Sequence, residues 1–213
     1  MFITLEGIDG SGKTTQFHRL LNWLIARGHN TLPVREPGGT LIGESARNIL
    51  HDRANNMMDA RTELLLYCAS RAQLVAEKIQ PHLASGGIVL CDRFADSTMA
   101  YQGYGRGLDL DFLRDLLRFA TRGIAPDLTI YFALDAEVGI HRRLKGGEEF
   151  NRLDAETLDF HKRVQGGYEK LIEAEPARWK VIDASQTIET IARQTQAIVE
   201  AHLVTSLNRE ESK

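Results

Sequence analysis

Cysteine is almost missing from this chain: Cys68 and Cys91 are the only two in 213 residues. Each stands in an apolar segment, and neither C-x-x-C nor another metal-ligand spacing occurs. That excludes a disulfide-stapled scaffold and a cysteine-based zinc site. Both thiols are expected to pack as small hydrophobes, and a reducing, cytoplasmic setting follows. Long apolar runs are missing as well. No stretch approaches the roughly 18 residues of a membrane span. The chain enters a strand-like segment at Phe2, which leaves no room for a leader. A membrane partner is therefore not expected. Nor does one sign of charge prevail: 26 Lys and Arg stand against 29 Asp and Glu, a net charge of −3. No broad basic face for a nucleic acid polymer is implied, although a local phosphate site stays compatible with that balance. Repeats, linkers and low-complexity tracts are lacking too. One domain over residues 1–204 is the economical reading, with a polar, frayed tail at 205–213.

What the chain does have begins at Gly7-Ile8-Asp9-Gly10-Ser11-Gly12-Lys13-Thr14. This fits the P-loop pattern G-x-x-x-x-G-K-[ST]. The apolar run Phe2-Ile3-Thr4-Leu5 precedes it. Phe17, Leu20, Leu21, Leu24 and Ile25 follow at helical spacing, and Gly28 is a stop. The motif thus sits between a strand and a helix, the context its chemistry needs. Backbone N–H groups from Gly7 through Thr15 can turn around a polyphosphate at a helix N-terminus. Lys13 can reach the β- and γ-phosphates, and the Thr14 hydroxyl can ligate Mg²⁺.

Further along, strands and helices alternate. Strands are expected at Asn30–Val34, Ile88–Cys91, Leu128–Leu134 and Trp179–Ile182. Helices are expected at Leu41–Leu50, Asp59–Leu83 (with Pro81 in its last turn or at a kink), Leu110–Phe119, Ala136–Lys145, Ala155–Ala174 and Ile188–Leu203. Ala95–Tyr101 reads as helix or turn, and Gly103, Gly105 and Gly107 read as a loop. The alternation predicts an α/β fold of the P-loop NTPase type. Its central five-stranded parallel sheet carries helices on both faces.

Four clusters bear on what accepts the phosphate. Arg35-Glu36 ends a strand and Arg47 lies on the next helix; two guanidinium groups suit a second phosphate. Taken alone, Arg47 fits a surface ion pair equally well. Asp92-Arg93 ends the buried strand, where the carboxylate can serve Mg²⁺ and the arginine can span two phosphates. Tyr67 and Arg71 share one helix face, and Tyr101-Gln102 in the following segment can close the same pocket. Each of these is also an ordinary core or surface residue. Arg142, Arg143, Lys145 and Arg152 flank Gly146-Gly147, a basic, glycine-bearing segment at about 142–153. It reads as a mobile lid or as a solvated helix end.

Read together, these segments resemble thymidylate kinase of the bacterial type, over about Phe2 to Leu203. The resemblance rests on Glu6 through Thr15, Arg35-Glu36-Pro37-Gly38-Gly39-Thr40, Ser70-Arg71-Ala72-Gln73, Asp92 through Gly103, and Gly105-Arg106-Gly107. It implies transfer of the γ-phosphoryl group of ATP to dTMP, giving dTDP and ADP, with Mg²⁺ as cofactor and a homodimeric protein. It also implies roles. Lys13, Asp9, Arg93, Arg143 and Arg152 would be catalytic. The P-loop residues and Arg142 would hold ATP, and Thr14 and Asp92 would hold the metal. Asp9 would engage the deoxyribose 3′-hydroxyl. Arg93, Arg35 and Arg47, with Glu36 alongside, would bind the dTMP phosphate. Tyr67 stands where the family usually has a thymine-stacking Phe. Arg71 would read the base edge, Thr98 and Gln102 would line the base pocket, and Tyr101 would press on the sugar. The chain departs from the pattern at Phe94, which lacks the usual hydroxyl or imidazole. Gly10 stands where the eukaryotic type has an arginine, which turns attention to the basic residues of the lid.

The nearest rival is another nucleoside monophosphate or deoxynucleoside kinase on the same fold. A GTP-dependent switch fails on context. Asn151-Arg152-Leu153-Asp154 follows glycine and glutamate instead of an apolar strand, and no D-x-x-G sequence is present outside the P-loop. A mechanical ATPase would end its buried strand in an acid pair, whereas Leu90-Cys91 leads into Asp92-Arg93.

Overall fold

The computed structural model describes residues 1–145 and 151–210, the last five through their backbone only. Gly146–Phe150, the centre of the expected lid, and residues 211–213 lie outside the described residues. The strands are β1 (Phe2–Glu6), β2 (Thr31–Arg35), β3 (Ile88–Asp92), β4 (Leu128–Ala133) and β5 (Trp179–Asp183). They form one parallel five-stranded sheet in the order β2-β3-β1-β4-β5. Every residue of the central strand β1 is buried, so both faces of the sheet are covered. Pro33, which has no N–H to give to a ladder, sits in the edge strand β2.

The helices are α1 (Lys13–Ala26), α2 (Leu41–His51), α3 (Ala60–Leu74), α4 (Gln80–Ala84), α5 (Ala95–Thr98), α6 (Leu110–Ala120), α7 (Ala136–Lys145), α8 (Leu158–Ala174) and α9 (Ile188–Glu210). Several start on side-chain caps that cover orphan N–H groups: Thr40 for α2, Asp59 for α3, Asp109 for α6 and Thr157 for α8. The expected Asp59–Leu83 helix is α3 and α4 joined by a π-helical turn at Val75–Ile79, and Pro81 falls in the short α4.

Three boundaries depart from the sequence reading. Helical backbone continues from α5 through a π-helical run at Met99–Gly105, where the glycines suggested a loop. Those glycines answer to packing. A Cβ at Gly103 would lie 2.6 Å from a Leu110 methyl, and one at Gly105 would lie 2.8 Å from the Phe160 ring. Helix α8 begins at Leu158 and not Ala155, because Thr157 caps it and Asn151 folds the preceding residues into a turn. Helix α9 runs past Leu203 to Glu210, into the stretch expected to fray. Cys68 and Cys91 are buried free thiols, as the apolar context implied.

Candidate active site

Chain order places the crevice. From β1 the chain crosses to one side to reach β2, and from β3 it crosses to the other to reach β4. The reversal falls between the adjacent strands β1 and β3, at whose carboxyl ends ligands bind in open α/β sheets. A cavity of about 290 Å³ opens there. The P-loop, the β2 and β3 ends, α2, α3, and the helical stretch from α5 through the 99–105 run line it, with Arg143, Asn151 and Leu153.

The P-loop is shaped by two left-handed glycines, Gly10 at φ 79° and Gly12 at φ 82°. Helix α7 lies directly on it. A Cβ at Gly10 would sit 2.1 Å from the Gly139 carbonyl oxygen, and one at Gly139 would sit 2.7 Å from the Asp9 carbonyl oxygen. Packing therefore leaves no room for a side chain at position 10. Lys13 is buried and donates only a long 3.5 Å bond, to the Ile8 carbonyl. Burial and the nearby Arg93 charge pull its ammonium below the ordinary lysine range.

Arg93 stands at the centre. Its backbone takes φ 67°, unusual for a residue with a side chain. Nη2 donates to Asp9 at 2.8 Å and to the Tyr101 hydroxyl at 3.2 Å, and the Tyr101 hydroxyl donates to Asp9 at 3.0 Å. Burial opposes the Asp9 charge, but Arg93 and Lys13 outweigh it and hold the carboxyl well below the usual range. Arg35 and Arg47 both donate to the Pro37 carbonyl at 3.0 Å, and Arg35 also pairs with Glu44. Arg93, Arg35 and Arg47 all line the cavity, the last two meeting at the Pro37 carbonyl.

Tyr67, Arg71, Thr98, Tyr101 and Gln102 are all buried and all line the same cavity. Arg71 pairs with buried Glu36, whose Oε2 accepts its Nε at 2.7 Å, and it donates to the Phe94 carbonyl at 3.2 Å. Its Nη1 and the Thr98 hydroxyl are buried without a hydrogen-bond partner. A buried donor of this kind is costly unless a ligand satisfies it. Phe94 is fully buried, with the Arg71 guanidinium 5.5 Å from its ring centre.

With a phosphate cradle, a cluster of arginines and a partly apolar slot in one cavity, the comparisons with known proteins agree. The family model described as thymidylate kinase matches residues 5–195. The chain belongs to the thymidylate kinase family. The thymidylate kinase of Roseiflexus castenholzii is 50% identical over 215 residues, covering 95% of this chain and 94% of the relative. That of Desulfovibrio desulfuricans is 46% identical, covering 95% and 96%. A solved thymidylate kinase from Ehrlichia chaffeensis superposes with a TM-score of 0.76 at 35% identity, covering 94% of this chain and 98% of that one.

Not every residue that the thymidylate kinase resemblance marked comes to the cavity. Arg143 lines it, with its guanidinium held by Asp154 at 3.0 and 3.1 Å. Arg152 does not. It is buried, ion-paired with Glu63, and donates to the Leu50 carbonyl at 3.1 Å. Arg142 also points elsewhere, giving a 3.0 Å bond to the Ala184 carbonyl. Gln102 lines the cavity, but its amide donates to Glu63 at 2.8 Å. Thr15 is exposed and outside the cavity lining. For Mg²⁺, Thr14 and Asp92 both line the cavity, and Asp92 Oδ1 is buried without a partner. No group of three metal-ligating side chains occurs among the described residues. One carboxylate, one hydroxyl and substrate phosphates suit Mg²⁺, so the donor set fits.

Sequence reasoning missed two buried carboxylates. Glu63 accepts from Gln102 and, at 3.0 Å, from Arg106 Nη2, as well as pairing with Arg152. Its signal was the spacing Glu63, Tyr67, Arg71, one residue per helical turn on one face. Glu6 carried a signal too, a charge closing a buried strand directly before the P-loop. His51, which also lines the cavity, is pulled down to about 4 by burial and by Arg47, and is neutral at neutral pH.

Proposed function

We propose that this chain transfers the γ-phosphoryl group of ATP to dTMP, giving dTDP and ADP. The observation that carries the reading is the joining of a P-loop and a three-arginine acceptor cluster in one cavity. A hydrolase has no use for the second anion site. Phosphoryl transfer requires the acceptor and γ-phosphate to be held in line, with cations around the charge that spreads over the moving group.

The chain's own residues supply those parts. The P-loop N–H groups and Lys13 hold the ATP phosphates. Arg93, Arg35 and Arg47 bind the dTMP phosphate. Asp9 accepts from the 3′-hydroxyl, and Tyr101 closes on the sugar beside it. Tyr67 packs on the base, and Arg71 with Thr98 meets its polar edge. The acceptor is a phosphate oxygen, already anionic near neutral pH because the second phosphate pKa is about 6. No side chain has to act as a general base. Arg143 adds positive charge at the phosphoryl group. Thr14 and Asp92 would hold Mg²⁺, which when bound neutralises phosphate charge.

Two further readings belong here. The protein acts as a homodimer, supported by apolar side chains left exposed on neighbouring helices: Leu41 on α2, Leu65 on α3, and Phe112 and Phe119 on α6. The buried free thiols suit a reducing compartment such as the cytoplasm. No helix among the described residues is long and apolar enough to cross a membrane. ADP release measured with dTMP, dUMP, dGMP and thymidine in turn tests the substrate. The fastest turnover is expected with dTMP. A different monophosphate outrunning it would replace the assignment.

A further inference from the structure

Behind Arg93 lies a carboxylate that the reaction as derived leaves idle. Glu6 ends β1 and is fully buried. Its Oε1 accepts the Phe94 N–H at 2.8 Å. Its Oε2 accepts the Ser97 hydroxyl at 2.6 Å and the Tyr168 hydroxyl at 2.8 Å. The same two hydroxyl oxygens accept Arg93 Nη1 at 3.1 and 3.2 Å. Each hydroxyl has one proton to give and lone pairs to receive with. When both protons turn to Glu6, the lone pairs face Arg93. The carboxylate thus sets the direction of both bonds. It also grips the peptide immediately after Arg93, whose left-handed backbone few side-chain-bearing residues adopt.

We propose that Glu6 is a positioning residue that aims the Arg93 guanidinium at the acceptor phosphate through Ser97, Tyr168 and the Phe94 N–H. Nη2 then stays on Asp9 and Tyr101, and the guanidinium presents one fixed edge to the cavity. The inference rests on the acceptor role given to Arg93 above. Three elements meet at Glu6, so a purely architectural role is the competing explanation. The two differ in what they do to ligands. Arg93 serves the phosphate, so mispositioning it weakens dTMP far more than thymidine, which has no phosphate and meets Arg93 only indirectly, through Asp9 and Tyr101. General loosening weakens both.

The test is equilibrium binding of dTMP and of thymidine to the full chain by calorimetry, with steady-state kinetics alongside. The variants are Glu6→Gln and the double variant Ser97→Ala/Tyr168→Phe. The double variant keeps the carboxylate and cuts its path to Arg93. Bonds to charged groups of this kind set the scale at about tenfold or more. Both variants are expected to lose about that much dTMP affinity and kcat while thymidine affinity changes less than about twofold. Folded variants that bind dTMP as wild type does, or that lose dTMP and thymidine equally, overturn the proposal. If Glu6→Gln does not fold, the double variant decides alone. A wild-type chain that binds dTMP without phosphorylating it refutes the reaction and leaves the Glu6 comparison intact. One that binds no dTMP refutes both.

Discussion

At the residue scale, two arginines of the basic segment stand in different surroundings. Arg143 borders the cavity, whereas Arg152 is sealed against Glu63. Arg143→Ala is therefore expected to lower kcat by on the order of 10²-fold, the scale for losing one donor to transition-state charge, with little change in the dTMP KM. Arg152→Ala takes one of two arginine partners from buried Glu63, so its first effect is on stability, with a lowered Tm. Arg71→Ala is expected to raise the dTMP KM. Steady-state kinetics and melting curves on the three separate these outcomes, and an Arg152→Ala enzyme of normal Tm and collapsed kcat would reverse the two roles. Glu6 yields a pH prediction. Burial, helped by the Asp96 charge and opposed by Arg93, pushes its carboxyl from an ordinary 4.5 up to about 7. Between those values the native state holds a proton that the unfolded chain has released, so stability falls as pH rises. A shift of this size is worth roughly 3 kcal/mol across the window. Glu6→Gln cannot ionise, so its Tm is expected to gain on wild type from pH 5 to pH 8. A Tm difference that does not change with pH contradicts this.

At the scale of elements, contact between α7 and the P-loop matters most, because it explains why the loop carries no arginine. Gly139→Ala would push a methyl group to within 2.7 Å of the Asp9 carbonyl oxygen, backbone that cannot yield cheaply. The variant is expected to raise the ATP KM by about tenfold or more, since the displaced loop carries the donor phosphates, and to raise the dTMP KM less, through Asp9 alone. Unchanged ATP kinetics would show that the contact has slack. Much of this level was legible in the residues themselves. The P-loop declares itself by fixed spacing, and the buried strands by unbroken apolar runs such as Ile88 to Cys91. Gly103 and Gly105 misled, because glycine reads as a loop signal when it is spaced for close helix packing against Leu110 and Phe160. Arg152 is placed by a partner that its neighbourhood in sequence does not show. Its proximity to Arg143 in sequence says nothing of Glu63, which lies 89 positions away and takes it out of the cavity.

At the scale of the whole molecule, the order of strands brings the P-loop and the end of β3 side by side at one switch point, where the cavity opens. The proposed homodimer would use the exposed apolar side chains of α2, α3 and α6 as its contact surface; light scattering at micromolar concentration should then return a mass near twice 23.9 kDa. A monomer mass removes that reading without touching the chemistry. The chemistry itself is tested most directly with ATP labelled at the γ-phosphate, dTMP, Mg²⁺ and separation of the products. The label is expected to appear in dTDP in step with ADP formation. Label released as inorganic phosphate, with dTMP recovered unchanged, would contradict it.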